Sequence, residues 1–266
     1  MMTVATRQEG AGVVMTRPLD GTAALVTGAS SGIGAAAAAS LAAQGASVAL
    51  AARRKDRLET LAANIRSQGG AALVIESDIT DERQATEAVE RTVAELGRLD
   101  TLINNAGVML LGPAADAPLS EWQRMVELNL LGLLYCAHAA TPHLLHAAAS
   151  DPRHVADMVN ISSVAGRAAR IGNGVYSLTK FGVGAFSDSL RQEFAKRYLR
   201  VSLVEPGATA TELASHNRPE VLESLRGQFG QRMAAEDIAD AITYIVTRPR
   251  HVAVNEILIR PTEQER

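Results

Sequence analysis

The chain is poor in cysteine, in aromatic residues, in excess positive charge and in long apolar runs. Each shortage removes a class of function. Cys136 is the one cysteine in 266 residues, so no disulfide forms within the chain and nothing points to an oxidising compartment. Aromatics make up 3%, too few for a platform on which single-stranded bases stack. Lys and Arg number 26 against 29 Asp and Glu, a formal charge of -3, so no basic surplus offers itself to a nucleic-acid backbone. The longest apolar stretches, Ala35 to Ala43 and Leu130 to Ala137, fall well short of a bilayer span. Met1 to Pro18 carries Arg7, Glu9 and Arg17 and lacks the apolar centre of a signal peptide. The expectation is a cytoplasmic protein without nucleic-acid or membrane partners. Residues 1–19 are expected to form a disordered or extended tail, with Met15 a second candidate start.

What is present is ordinary globular material. Hydrophobic residues at 47% and charged residues at 21% exclude a disordered chain, a collagen-like fibre and a disulfide scaffold. From residue 20 to 266 short apolar runs alternate with helical patterns, and no repeat or composition break interrupts them. Strands are expected at Thr22–Val26, Ser47–Ala52, Ala71–Ile75, Leu99–Asn104, Met158–Ser162, Val201–Glu205 and Glu256–Ile259. Helices are expected at Ile33–Gln44, Asp56–Ser67, Asp81–Leu96 with Thr80 as cap, and Glu121 towards Ala149 with a bend near Pro142. Two more follow at Val175–Tyr198 and Ala235–Thr247. A polar loop is expected over His146–Asp157. Strands separated by helices imply parallel pairing in one doubly wound α/β domain, with ligands beyond the carboxyl ends of the strands.

The residues after each strand therefore carry the chemistry. Thr27-Gly28-Ala29-Ser30-Ser31-Gly32-Ile33-Gly34 joins the first strand to the first helix. Glycines there let backbone N–H groups approach a pyrophosphate, and the opening helix adds its positive end. After the second strand, an NAD site wants a carboxylate for the ribose 2′-hydroxyl. Ala52 stands there, followed by Arg53 and Arg54, whose guanidinium forks suit a 2′-phosphate. NADP(H) is thus expected over NAD(H), with an NAD-dependent enzyme as the alternative. Asp78, with Ile79 beside it, is a candidate for the adenine amino group or for capping the next helix. Asn105, Ala106 and Gly107 are candidates for the adenosine ribose, and Asn104 for tying neighbouring strands.

A second set points to proton transfer. Tyr176 and Lys180 stand at i and i+4 on one helix face, where an ammonium favours the phenolate. Tyr176 can then give a proton to a carbonyl or take one from an alcohol. Ser163 follows the fifth strand and reaches the same rim, with Ser162 as its rival. Asn129 lies in an apolar helix, where a lone amide is costly unless partnered; it is a candidate to hold a water against Lys180, or a satisfied core asparagine. Backbone from Pro206 and Gly207 through Thr209 to Thr211 is placed to clamp the nicotinamide end. Residues 211–230, with Leu213, Val221, Leu222, Leu225 and Phe229, are expected to form a substrate lid. His138, His143 and His146 show no metal-ligand pattern, and Cys136 reads as a small core residue.

Taken in order, Thr27–Gly34, Asp78, Asn104–Gly107, Asn129, Ser163, Tyr176, Lys180 and Pro206–Gly207 resemble the short-chain dehydrogenase/reductase superfamily. The resemblance implies a Rossmann-type doubly wound parallel seven-stranded sheet with helices on both faces. It implies hydride transfer between NAD(P) and a small-molecule carbonyl/alcohol pair, and a homo-oligomer, tetramer or dimer. It also implies that Asn129, Ser163, Tyr176 and Lys180 match the family's catalytic tetrad, with Lys180 holding the nicotinamide ribose. The stretches Asn104–Pro113, Glu205–Leu213 and Glu256–Thr262 are similar to the clavulanate dehydrogenase branch, itself similar to NADP-dependent 3-hydroxy acid dehydrogenases. A non-enzymatic NADP(H) sensor is the rival from another class; it has no need of the four polar residues together.

Overall fold

The computed structural model describes residues 17–150, 152–225 and 230–265. Most of the expected tail, residues 1–16, and part of the expected lid, residues 226–229 with Phe229, lie outside the described residues. Packing begins one residue before the expected boundary: Leu19 is buried, and its N–H donates to the Gln44 carbonyl at 2.9 Å.

The first strand, β1 (Ala23–Thr27), is buried at all five positions. Such unbroken burial, without apolar/polar alternation, marks a strand covered on both faces. The chain continues through α1 (Gly32–Ala43), β2 (Ser47–Ala52), α2 (Lys55–Ser67), β3 (Ala71–Glu76), α3 (Glu82–Leu96) and β4 (Thr101–Asn104). Then come α4 (Leu119–Val126), a π-helical segment (Glu127–Gly132), α5 (Leu133–Ala148), β5 (Ala156–Ile161) and α6 (Gly174–Phe194). Next are β6 (Leu199–Pro206), α7 (Pro219–Leu225), α8 (Ala235–Val246) and β7 (Glu256–Ile259).

All the pairings are parallel, and the order is β3-β2-β1-β4-β5-β6-β7. This is the expected seven-stranded Rossmann-type sheet. One face is sealed by α1, α2 and α8 through residues such as Leu41, Leu58 and Ile242. The other is sealed by α3, α5 and α6 through Val89, Leu144 and Phe194. The alanines of α1 allow α8 to approach closely enough for the Ser40 and Thr243 hydroxyls to meet at 2.7 Å. Between β1 and β4 the chain reverses its direction of travel across the sheet, which opens a crevice at the carboxyl ends of those strands.

Local details differ from the sequence expectations. The Asp81 side chain, not Thr80, caps α3 by accepting from the Gln84 N–H at 2.9 Å. Thr80 is drawn instead to Asp78, whose Oδ1 accepts from the Thr80 hydroxyl at 2.8 Å and its N–H at 3.1 Å. Asp78 is thus occupied in a local turn and does not cap the helix. The expected long helix changes winding at Glu127–Gly132, while Pro142 lies within an α5 that continues to Ala148. Ordered helix therefore takes the first part of the expected His146–Asp157 loop.

Candidate functional site

At the switch point the glycine turn is shaped by close approach. Gly28 has φ +66, and a Cβ there would stand 2.8 Å from the Ala106 Cα. Gly34, in the first turn of α1, lies so near the loop that a Cβ would stand 2.5 Å from the Gly28 carbonyl oxygen. Side chains at either position would drive β1, α1 and the Asn105–Gly107 segment apart. Thr27 joins these pieces: its Oγ1 accepts from the Asn105 and Ala106 N–H groups at 3.1 and 3.2 Å. Asn105 donates back to the Thr27 carbonyl at 3.0 Å. One layer deeper, Asn104 donates to Asn160 at 2.9 Å, tying β4 to β5 as expected.

A cleft of about 1230 Å³ runs from this turn along the rim. Every expected cofactor residue lines it except Gly34, which is buried behind the turn. At one end, Arg54 donates from Nε and Nη2 to the Ser30 hydroxyl at 3.1 and 2.9 Å and from Nη2 to Ser31 at 2.8 Å. Arg53 stands more exposed, 3.7 Å from Asp78. Hydroxyls and guanidinium groups meet here beside a helix N-terminus, a donor set that fits phosphate.

Midway along the cleft, β5 and α6 deliver the proton-transfer candidates. The phenol of Tyr176 is buried, which pushes it up to about 12, while the Ser163 hydroxyl pulls the other way. Ser163 Oγ accepts from the Ala165 N–H at 3.1 Å, which fixes its rotamer. Ser162 is committed elsewhere: its hydroxyl donates to the Lys180 carbonyl at 3.0 Å. Lys180 Nζ donates to the Ile161 carbonyl at 2.8 Å and lies 5.8 Å from the centre of the Tyr176 ring. Burial lowers it to about 8.

Asn129 sits in the π-helical segment and is fully buried. Such segments often mark functional positions because they rotate a side chain off the α-helical face. Its Oδ1 accepts from the Val108 N–H at 2.8 Å, and its Nδ2 donates to the Val108 carbonyl at 2.9 Å and to Thr179 Oγ1 at 3.2 Å. Both amide donors are thus spent on protein. One Oδ1 lone pair remains, and a Cβ built on Gly107 would lie 3.3 Å from Oδ1 and 3.8 Å from Lys180 Nζ.

At the far end of the cleft, apolar Met109, Leu111, Leu213, Val221 and Leu222 are joined by Arg218 and Glu220. Asn217 ties the segment after β6 to the one after β4, donating to the Met109 carbonyl at 2.9 Å and accepting from the Leu111 N–H at 2.7 Å. After β6, the Gly207 N–H donates to the Ile259 carbonyl at 2.7 Å and the Ala208 N–H to Gln264 Oε1 at 2.8 Å. Thr179, Asn217 and Gln264 carry no motif signal of their own; Thr27 opens the quoted glycine motif, but its linking role was not among the expectations. Among the described residues no cluster of His, Cys, Asp or Glu could hold a metal, and no helix is long and apolar enough to cross a membrane.

Comparison with known proteins agrees with this geometry. A family model described as short chain dehydrogenase matches residues 22–221. The chain is 43% identical over 249 residues to glycine betaine reductase ATRR of Emericella nidulans, covering 93% of this chain but only 19% of that much longer protein. It is 35% identical to an uncharacterized oxidoreductase of Staphylococcus aureus strain MRSA252, over 90% of this chain and 96% of that one. The crystal structure of a metagenomic short-chain oxidoreductase in complex with NADP superposes with a TM-score of 0.77 at 30% identity, covering 92% of this chain and 99% of the other. A glycine-lined switch-point crevice, a buried phenol beside a buried ammonium, and these likenesses place the chain in the short-chain dehydrogenase/reductase family of oxidoreductases.

Proposed function

We propose that the protein is an NADP(H)-dependent oxidoreductase that interconverts a small-molecule carbonyl and its alcohol. The observation that carries this reading is the position of Tyr176, buried beside Ser163 and Lys180 in the cleft whose other end is formed by Gly28, Ser30, Ser31 and Arg54. The residues fit a dinucleotide: glycines keep the turn tight against Ala106 and Thr211, and Arg54, Arg53 and Ser30 would form a pocket for a 2′-phosphate. NADP in the similar metagenomic oxidoreductase supports the same choice.

When bound, the nicotinamide supplies or accepts the hydride; the side chains govern the proton. In reduction, Ser163 and Tyr176 donate to the substrate oxygen, and the Tyr176 proton passes to it as negative charge develops there. Burial keeps the phenol protonated until it is needed. Lys180 places a positive charge behind the phenolate that remains, and Asn129 pins both Val108 and the turn of α6 that bears Thr179. A water against the free lone pair of Asn129 would complete a proton path to Lys180. Gly207 to Thr211 would hold the nicotinamide end, with Asp78, Ile79 and Asn105–Gly107 around the adenosine.

Reduction is the proposed direction, supported by the NADP(H) preference and by the reductase named among the relatives. Exposed apolar side chains on α4 and α6, Leu119, Leu178 and Phe181, support a homo-oligomer. The test is NADPH consumption over a panel of ketones and aldehydes, with NADH in parallel. Tyr176→Phe is expected to lose about a hundred- to ten-thousandfold in turnover while still binding NADPH. Full activity in that variant would overturn the assignment.

A further inference from the structure

We propose that Glu212 is an internal stand-in for the 2′-phosphate: its carboxylate occupies Arg54, the guanidinium which that phosphate would take, and so sets how strongly the site discriminates between 2′-phosphorylated and 2′-hydroxyl nucleotides. The inference rests on the reading of Arg54 as the phosphate partner.

Glu212 begins a short 3₁₀ turn, Glu212–His216, after β6. It is remote in sequence from α2 but meets it across the mouth of the cleft. Its Oε2 accepts from Arg54 Nη1 at 2.7 Å and its Oε1 from Arg57 Nη1 at 2.6 Å. Thr211, the preceding residue, lies against the glycine turn, where a Cβ on Gly32 would stand 3.0 Å from the Thr211 Cγ2. The guanidinium of Arg54 is thus shared between Ser30 and Ser31 on one edge and Glu212 on the other.

These partners respond differently to an arriving phosphate. A seryl hydroxyl can rotate and donate to it. A carboxylate can only accept, so it competes for the same N–H groups and repels the newcomer. The two arginines hold Glu212 down at about 2, ionised at any working pH. A 2′-phosphate brings roughly -1.5 to -2 of charge and three acceptor oxygens, against a single charge on Glu212. Phosphate therefore wins, and Glu212, close to half exposed, has water to move into. A 2′-hydroxyl has no claim on the arginines and leaves the clasp closed.

The consequence reaches the substrate end. The turn that Glu212 anchors leads directly to Asn217, which bonds Met109 and Leu111, and to Arg218, whose Nε lies 3.0 Å from Glu121 on α4. Releasing Glu212 frees the nucleotide-side anchor of this segment and leaves the substrate-side anchors in place.

The test is calorimetric titration of wild type and Glu212→Gln with adenosine 2′,5′-bisphosphate and with adenosine 5′-monophosphate, joined to hydrogen exchange over residues 211–218. Removing two exposed ion pairs is expected to tighten the bisphosphate several-fold, up to about tenfold, and to leave the monophosphate unchanged. The bisphosphate is expected to speed exchange across 211–218 in wild type, whereas Glu212→Gln exchanges fast with no ligand. Unchanged or weaker bisphosphate binding by the variant would overturn the proposal while leaving the NADP(H) reading intact. A wild type that binds neither nucleotide would overturn both.

Discussion

Lys180 is a cation kept away from water. Its ammonium donates to the Ile161 carbonyl at 2.8 Å, and burial lowers it from 10.5 to about 8. An unfolded chain holds that proton until pH near 10.4. Between about pH 8 and 10 the unfolded state therefore binds more protons than the folded state, and stability rises with pH. Tyr176 acts in the opposite sense at higher pH: the folded chain keeps its proton to about 12, while the unfolded chain ionises near 10, so stability falls above that point. The ligand-free protein should thus show a urea midpoint that climbs from pH 8 to 10, and Lys180→Met should lose the climb. Equal pH profiles for the two proteins would show that burial does not lower Lys180, which would then stay charged in the fold up to about pH 10. The same ionisation bears on turnover, since the ammonium behind the phenolate is lost above about pH 8; reduction should slow there.

At the scale of elements, caps and winding decide what the periodic pattern leaves open. Asp81→Ala removes the side chain that accepts from Gln84, and a lost cap costs about 1 kcal/mol; a urea titration should show that loss. Thr80 and Asp81 are both capping types, and only the folded turn shows that Asp78 has claimed Thr80. The helix-to-π change at Glu127–Gly132 has the same cause of illegibility. Leu128, Leu130 and Leu131 suit either winding, and the deciding contacts, Asn129 with Val108 and Gly132 against Ile79, are distant in sequence. By contrast, strands such as Ser47–Ala52 and Glu256–Ile259 were legible to the residue because apolar runs ended by turn residues are a local signal. That Tyr176, Lys180 and Ser163 would line one cleft was legible through spacing on one helix and its preceding strand. Glu212 was not, since its role depends on a contact with arginines more than 150 positions away.

Over the whole molecule, the sheet is fastened at the end opposite the cleft. Asp157, fully buried near the start of β5, accepts from Arg200 Nε at 2.7 Å and Nη2 at 2.9 Å and from Arg153 at 3.2 Å. Arg200 also donates to the Val246, Arg248, Pro249 and Val252 carbonyls, holding the connection from α8 to β7 against the sheet. Arg200→Ala would leave the buried Asp157 carboxylate with Arg153 alone and take a donor from four carbonyls, of which Val246 keeps Arg153 and Pro249 keeps the Val252 N–H. Breaking such a pair costs on the order of 3–5 kcal/mol, expected as a lower urea midpoint with the site's residues untouched. Wild-type stability in that variant would mean that Arg153 alone satisfies Asp157.

The same parallel strands therefore carry their anchors at one end and their chemistry at the other. Loops at the reactive end can drift in sequence, taking up new substrates, without drawing on the fastenings that keep the protein folded.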